Sequence, residues 1–248
     1  MRRIKLTIGY DGTDFCGWQI QSHERTVQYE IEKALEIMHG HHVRIHGSGR
    51  TDSGVHAVGQ AAHFDTDIAS IEPERFMIAL NSMMPKDVRI YASDLVPESF
   101  HARYSATLRE YRYIIKEYAF ISPMEQRYCL GVPRFPDVQR LNGYTGSIIG
   151  IHDFTAFTAA GDMSKSKVRN IHQAYWYIDG TSLVFTITGN AFLWKMVRSL
   201  IGTMLELNQR EAPPDQMRMI LESGDRLAVG STAAPQGLCL ERIMYEQI

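Results

Sequence analysis

The sequence predicts an α+β protein, and three observations carry that prediction. Segments that alternate apolar and polar residues, as half-buried strands do, recur from one end of the chain to the other. Between them lie stretches with apolar residues at helical spacing, so that strands and a helix appear in each half without any fixed-period repeat. With 248 residues and 44% hydrophobic content, the chain is long enough for one large domain or two modest ones, with a buried core.

Residues 2–10 alternate, with Ile4, Leu6 and Ile8 on one side, and end in the turn Tyr10-Asp11-Gly12-Thr13. An aromatic loop, Phe15-Cys16-Gly17-Trp18-Gln19-Ile20-Gln21, follows. Thr26 is placed to N-cap a helix over about 27–39, with Val27, Ile31, Ala34, Leu35 and Met38 on one face. Residues 42–47 predict a strand that runs into a glycine-rich loop, and 58–65 a strand that leaves it. Pro73 opens a helix carrying Phe76, Met77, Leu80, Met83 and Met84, which Pro85 closes. Asp87–Leu95 alternates again, and 99–106 loses its period where the first half, 1–105, gives way to the second, 106–248.

Thr107–Tyr118 is the most informative strand: Arg109, Tyr111, Tyr113 and Ile115 share one face, while Leu108, Arg112 and Ile114 share the other. Interleaved aromatic and basic side chains suit a surface that stacks a base and holds a phosphate, although most such residues on strands are cross-strand pairs. Residues 119–136, with three prolines, predict irregular backbone, and 137–149 a helix. Gly161–Lys167 predicts a mobile surface loop, and Lys165, Lys167 and Arg169 make it positive. It is a solvated loop in the plain reading and a phosphate-contacting one in the sharper reading. Val168–Asp179 and Ser182–Thr188 predict a hairpin turning at Asp179-Gly180. A long helix is expected from about Ala191, with Leu193, Met196, Val197, Leu200, Ile201, Met204 and Leu205 as its apolar stripe and Arg198 on the flank. Pro213-Pro214 starts another helix, through about Leu221, and Leu238–Tyr245 is the last strand.

Lys and Arg total 26 against 28 Asp and Glu, so bulk charge does not mark a nucleic-acid binder and any polyanion site must be local. Cys16, Cys129 and Cys239 are widely spaced and form no C-x-x-C pair, which argues against a disulfide framework or zinc ribbon and fits a reducing cytoplasm. The basic N-terminus continues as an alternating strand rather than a signal peptide, and no apolar run is long enough to span a membrane. His39, His41, His42 and His46 cluster without Cys or carboxylate at ligand spacing, so no metal site is expected there.

The stretch Gly47–Ala57 concentrates the chemistry. Gly47, Gly49 and Gly54 permit positive φ and close backbone approach, so the loop can hold its polar side chains in fixed positions. Arg50 and Asp52, two apart, point the same way in extended backbone, and a guanidinium beside the carboxylate keeps it ionised. That suits a nucleophile or base at neutral pH, while the plain reading is a loop salt bridge.

Together these motifs resemble the tRNA pseudouridine synthase A family along nearly the whole chain. The matching segments are Tyr10-Asp11-Gly12-Thr13, Gly17-Trp18-Gln19, Thr26-Val27-Gln28, Gly49–Ala57, His101-Ala102-Arg103, Tyr111-Arg112-Tyr113, His152-Asp153-Phe154, Met196-Val197-Arg198 and Gly237-Leu238. The resemblance implies two α/β halves, each a mainly antiparallel sheet flanked by helices, with a basic cleft between them and a homodimer sharing one tRNA. It implies isomerisation of uridine to pseudouridine in the anticodon stem-loop, at positions 38, 39 and/or 40, on a tRNA partner. By the same resemblance Asp52 is the catalytic aspartate, Arg50 the neighbour that opens the RNA, Tyr111 the residue that stacks on the target base, and Arg198 the arginine that pairs with the aspartate.

The reaction is redox-neutral and transfers no phosphoryl group, so neither a cofactor nor a metal is called for. Asp52 can add to the uracil ring, attack C1′, or act as the base that lets a glycal form. The chain departs from the family at Trp194-Lys195, where no catalytic role is placed, and at Ser22-His23-Glu24. Three alternatives remain: a pseudouridine synthase for other RNA sites, a non-catalytic tRNA-binding module, and a metal-dependent hydrolase using Asp52, His56 and His63.

Overall fold

A computed structural model describes residues 1–246. In chain order the regular elements are β1 (Arg2–Tyr10), α1 (Val27–His39), β2 (His46–Gly47), β3 (His56–Thr66), α2 (Phe76–Met83), β4 (Val88–Val96), β5 (Ala106–Glu117), β6 (Leu130–Val132), α3 (Val138–Thr145), β7 (Gly150–Asp153), β8 (Val168–Asp179), β9 (Ser182–Gly189), α4 (Met196–Gln209), α5 (Asp215–Ser223) and β10 (Leu238–Tyr245). The architecture is α+β with mixed sheet pairing and flanking helices. The chain groups into two compact units, one formed by Met1–Arg109 with the strand from Cys239 onward, the other by Glu110–Leu238.

In the first unit β1 lies between β3 and β4, antiparallel to both. Its alternation buries Ile4, Leu6 and Ile8 completely, and α1 (Val27, Ile31, Leu35) and α2 (Phe76, Leu80) each bury an apolar face. The rings of Phe64 on β3 and Phe76 on α2 meet edge-on at 5.6 Å. The strand expected over 42–47 shortens to β2, although Val43 and Ile45 are still buried. β10 joins β3 in parallel, with Cys239 opposite His56 and Leu240 opposite Ala57. The division at 105/106 left this strand with the second half; no local pattern can show a partner so distant in sequence.

In the second unit β8 is antiparallel to β7 and β9. One face of β9 buries Leu183, Phe185 and Ile187, and the apolar stripe of α4 is buried as its spacing predicts. Two short strands were not anticipated: β6 falls in the stretch read as irregular, and β7 in residues given no element. β6 has three residues, too few to display an alternation, and pairs in parallel with β5.

The helix expected from about Ala191 begins five residues later, because its would-be first turn spends its backbone groups elsewhere. Trp194 donates its N–H to the Asp162 carboxylate at 2.9 Å, and its carbonyl accepts from Ala159 N at 3.1 Å. Lys195 then takes φ +61°, an unusual left-handed value for a side-chain-bearing residue, before α4 starts.

Candidate active site

The predicted site residues fall in both units. In the first, Asp52 lies half-buried on the loop between β2 and β3 and Arg50 is exposed. The loop is gripped from both sides by the segment that follows β1. Before Asp52, Thr51 donates or accepts a 2.8 Å hydrogen bond with Tyr10 Oη, and its carbonyl accepts from Trp18 N at 3.2 Å. After Asp52, both Ser53 Oγ (3.2 Å) and Gly54 N (3.3 Å) donate to the carbonyl of Phe15. Within the loop, Val55 N closes a turn onto the Asp52 carbonyl at 3.2 Å.

Gly17 makes this approach possible. Its φ is +88°, and a Cβ there would lie 2.5 Å from the Thr51 carbonyl oxygen. Of the three loop glycines, Gly54 alone takes positive φ.

His56, which opens β3, is buried and accepts Gly12 N–H on Nδ1 at 3.0 Å. The same ring nitrogen lies 3.2 Å from Asp11 Oδ1. Asp11 Oδ1 is engaged by Thr13 N (3.0 Å) and Thr13 Oγ1 (2.6 Å), so the Asp11-Gly12-Thr13 motif is an Asx turn set against His56.

In the second unit Tyr111 lies on β5 with its ring edge-on to Phe192, centroids 5.3 Å apart at 90°. Arg198, in the first turn of α4, donates from Nε to the Ala233 carbonyl at 2.8 Å, and its own carbonyl accepts Ala233 N at 3.0 Å. Tyr113, two residues along β5 from Tyr111, is fully buried and donates to the Ala234 carbonyl at 2.9 Å. Burial raises its phenol pKa above the ordinary value, partly offset by the Arg198 charge. Arg198 and β5 are thus both tied to residues 233–234, a connection with no sequence signature.

Of the loop cations, Lys165 is exposed. Lys167 donates to Asp162 Oδ1 at 2.5 Å and to the Asp162 carbonyl at 3.0 Å, and Arg169 donates from Nη1 to the carbonyls of Ser166 (3.0 Å) and Val168 (2.6 Å). Burial opposes the Asp162 charge, yet Lys167 and the N–H groups of Trp194 and Ser164 hold its pKa well below the usual carboxylate range. Two of the three cations therefore brace the loop with their hydrogen bonds.

Among the described residues no group of three or more His, Cys, Asp or Glu is arranged to hold a metal. His63, a ligand in the hydrolase alternative, stacks on His46 (centroids 5.0 Å apart), and its Nδ1 accepts Ala102 N at 3.1 Å.

Tyr10, Phe15 and Trp18 were missed as site residues. The available signal was the recurrence of aromatic residues and glycine just after the first strand, but they act through backbone and hydroxyl groups that spacing does not reveal.

A half-buried carboxylate on a loop held at both flanks is an arrangement suited to acid–base or nucleophilic chemistry. Residues 7–105 and 146–246 match the family model described as tRNA pseudouridine synthase. A tRNA pseudouridine synthase A of Treponema denticola is 48% identical over 99% of this chain and 94% of its own length. The protein of that name from Streptococcus pneumoniae strain P1031 is 42% identical over 100% of both. A solved chain described as a Cbf5-Nop10-Gar1 complex overlays 97% of this chain and 59% of its own at a TM-score of 0.37 and 11% identity, a likeness too low to inform fold or site. The chain belongs to the tRNA pseudouridine synthase family.

Proposed function

We propose that this protein isomerises uridine to pseudouridine in the anticodon stem-loop of tRNA, at positions 38, 39 and/or 40, with Asp52 as the catalytic carboxylate. The observation that carries the reading is the loop around Asp52, anchored on both flanks in a chain whose two halves both match the family. The N1–C1′ bond breaks, the uracil turns, and C5 bonds to C1′; the hydrogen lost from C5 is balanced by one gained at N1. Arg50 opens the RNA and orders the site, Tyr111 stacks on the target base, and Arg198 is the cationic partner of the carboxylate. Extruding the base costs a few kcal/mol, of which stacking on Tyr111 returns ~1–3 kcal/mol.

The same reading has a basic cleft between the halves, with Lys165, Lys167 and Arg169 among its RNA contacts, and a cytoplasmic homodimer. A net charge of −2 supports placing the RNA contacts in a local patch. No helix among the described residues is long and apolar enough to cross a membrane.

The test uses tRNA transcripts tritiated at uracil C5, incubated with the protein without added metal or nucleotide. Wild type should release tritium, and Asp52→Asn should release none while binding tRNA with a Kd within about twofold of wild type. Turnover by Asp52→Asn would remove the carboxylate from the mechanism; tight binding without release by wild type would favour a binding module.

A further inference from the structure

Asp52 is anchored through Phe15, and Phe15 is itself held from outside the loop. Its side chain is buried, and the Arg25 guanidinium lies over the ring at 4.0 Å from the centroid. Arg25 is in turn fixed in orientation. Its Nη1 and Nη2 donate to the two oxygens of Asp87 at 2.7 and 2.9 Å, a bidentate fork, and its Nε donates to Glu30 at 3.2 Å.

The backbone repeats the same connection. The Arg25 carbonyl accepts Cys16 N at 2.9 Å, and the Asp87 carbonyl accepts Asp11 N at 3.0 Å. Arg25 and Asp87 thus bracket the segment from Asp11 to Cys16 whose Phe15 carbonyl receives Ser53 and Gly54.

We propose that Arg25 is a positioning residue: clamped by Asp87, it presses on the Phe15 ring and so sets where the Phe15 carbonyl, and with it the Asp52 loop, stands. This rests on the assignment of Asp52 as the catalytic carboxylate. Arg25 touches no reacting atom and acts through Phe15. Planarity matters to the contact, since a guanidinium can lie flat on a ring while forking onto a carboxylate and an ammonium cannot. A loop displaced by a fraction of an ångström keeps its fold and its RNA surface, and loses alignment in the chemical step.

The experiment compares single-turnover and steady-state tritium release by wild type, Arg25→Ala, Arg25→Lys, Asp87→Asn, the double variant Arg25→Ala/Asp87→Asn, and Asp52→Asn. Arg25→Ala and Asp87→Asn should each lower kcat about 10- to 100-fold, with KM and the tRNA Kd within about twofold of wild type. Arg25→Lys should not restore kcat, and the double variant should be no slower than the slower single one, because both act through one contact. Thermal unfolding measured alongside should show every variant folded at the assay temperature.

Should Arg25→Ala not fold, Asp87→Asn, which keeps the side-chain shape, decides the matter by the same kcat-against-KM split. Wild-type kcat in Arg25→Ala and Asp87→Asn overturns the proposal. A raised KM with kcat intact also overturns it, by making Arg25 an RNA contact. Activity in Asp52→Asn would instead show that the underlying catalytic assignment has failed, whatever the Arg25 variants do.

Discussion

In the proposed mechanism Arg198 is the cationic partner of Asp52. Two hydrogen bonds to Ala233, one from Nε and one to its own carbonyl, hold the base of the guanidinium in place. Arg198→Ala is expected to lower kcat about 100-fold with tRNA affinity little changed, the size of loss seen when one preorganised charge partner is removed. A rate equal to wild type in the tritium-release assay would strip Arg198 of its role. Arg198→Lys should recover little, because a point charge cannot bond Ala233 through Nε and address a carboxylate together. The i, i+2 spacing among glycines singles out Asp52 and Arg50, and the apolar helical stripe puts Arg198 on its flank. Spacing alone reads them as a loop salt bridge and a boundary residue, and the site roles proposed for them come from the family resemblance. Tyr10, Phe15 and Trp18 are not singled out, because they hold the loop through a hydroxyl, a carbonyl and an amide, groups that lie outside any side-chain pattern.

The 235–237 turn before β10 packs Gly237 against β5. A Cβ there would lie 2.7 Å from the Tyr113 ring and 2.9 Å from the Ile114 carbonyl oxygen. Gly237→Ala must move backbone or a fully buried ring, and is expected to cost about 1–3 kcal/mol of stability, read as a lowered urea midpoint. Because Tyr113 and Tyr111 share one face of β5, kcat should fall with it; an unchanged midpoint and rate would show that the turn yields without cost.

Strands and helices long enough to repeat their period several times, such as β1, α1, β8 and the body of α4, were readable from the sequence. The start of α4 was not. Continuing its apolar stripe back to Leu193 is correct as periodicity, but Trp194 bonds to the 159–162 loop and Lys195 turns left-handed, and tertiary bonds override the pattern.

At the scale of the whole molecule, acid stability should be governed in part by a buried imidazole. His63 is 2% exposed on β3. It faces His46 on β2, His101 on the loop after β4, Lys5 across the β1 ladder, and the Arg3–Asp65 ion pair. Burial first, then Arg3, His101 and His46, lower its pKa to about 4, with Asp65 opposing. Its folded-state pKa is thus below the ordinary histidine value of about 6.5, so between those pH values the unfolded chain binds the extra proton. Stability should therefore be full above about pH 6.5, fall as the pH drops toward 4, and lose about 1–3 kcal/mol over that window. His63→Gln should flatten that part of the urea-midpoint profile, and an unaltered slope would assign the loss to other groups.

The strand β10 has a consequence for the life of the chain. His56 and Ala57, the residues that lead directly out of the Asp52 loop, pair on one edge with Cys239 and Leu240. During synthesis the ribosome delivers that edge long after the rest of the first unit has emerged. Until that strand arrives, the exit of the loop is held on one side alone, by the pairing of Ala57 with Tyr10 on β1 and the Gly12 bond to His56.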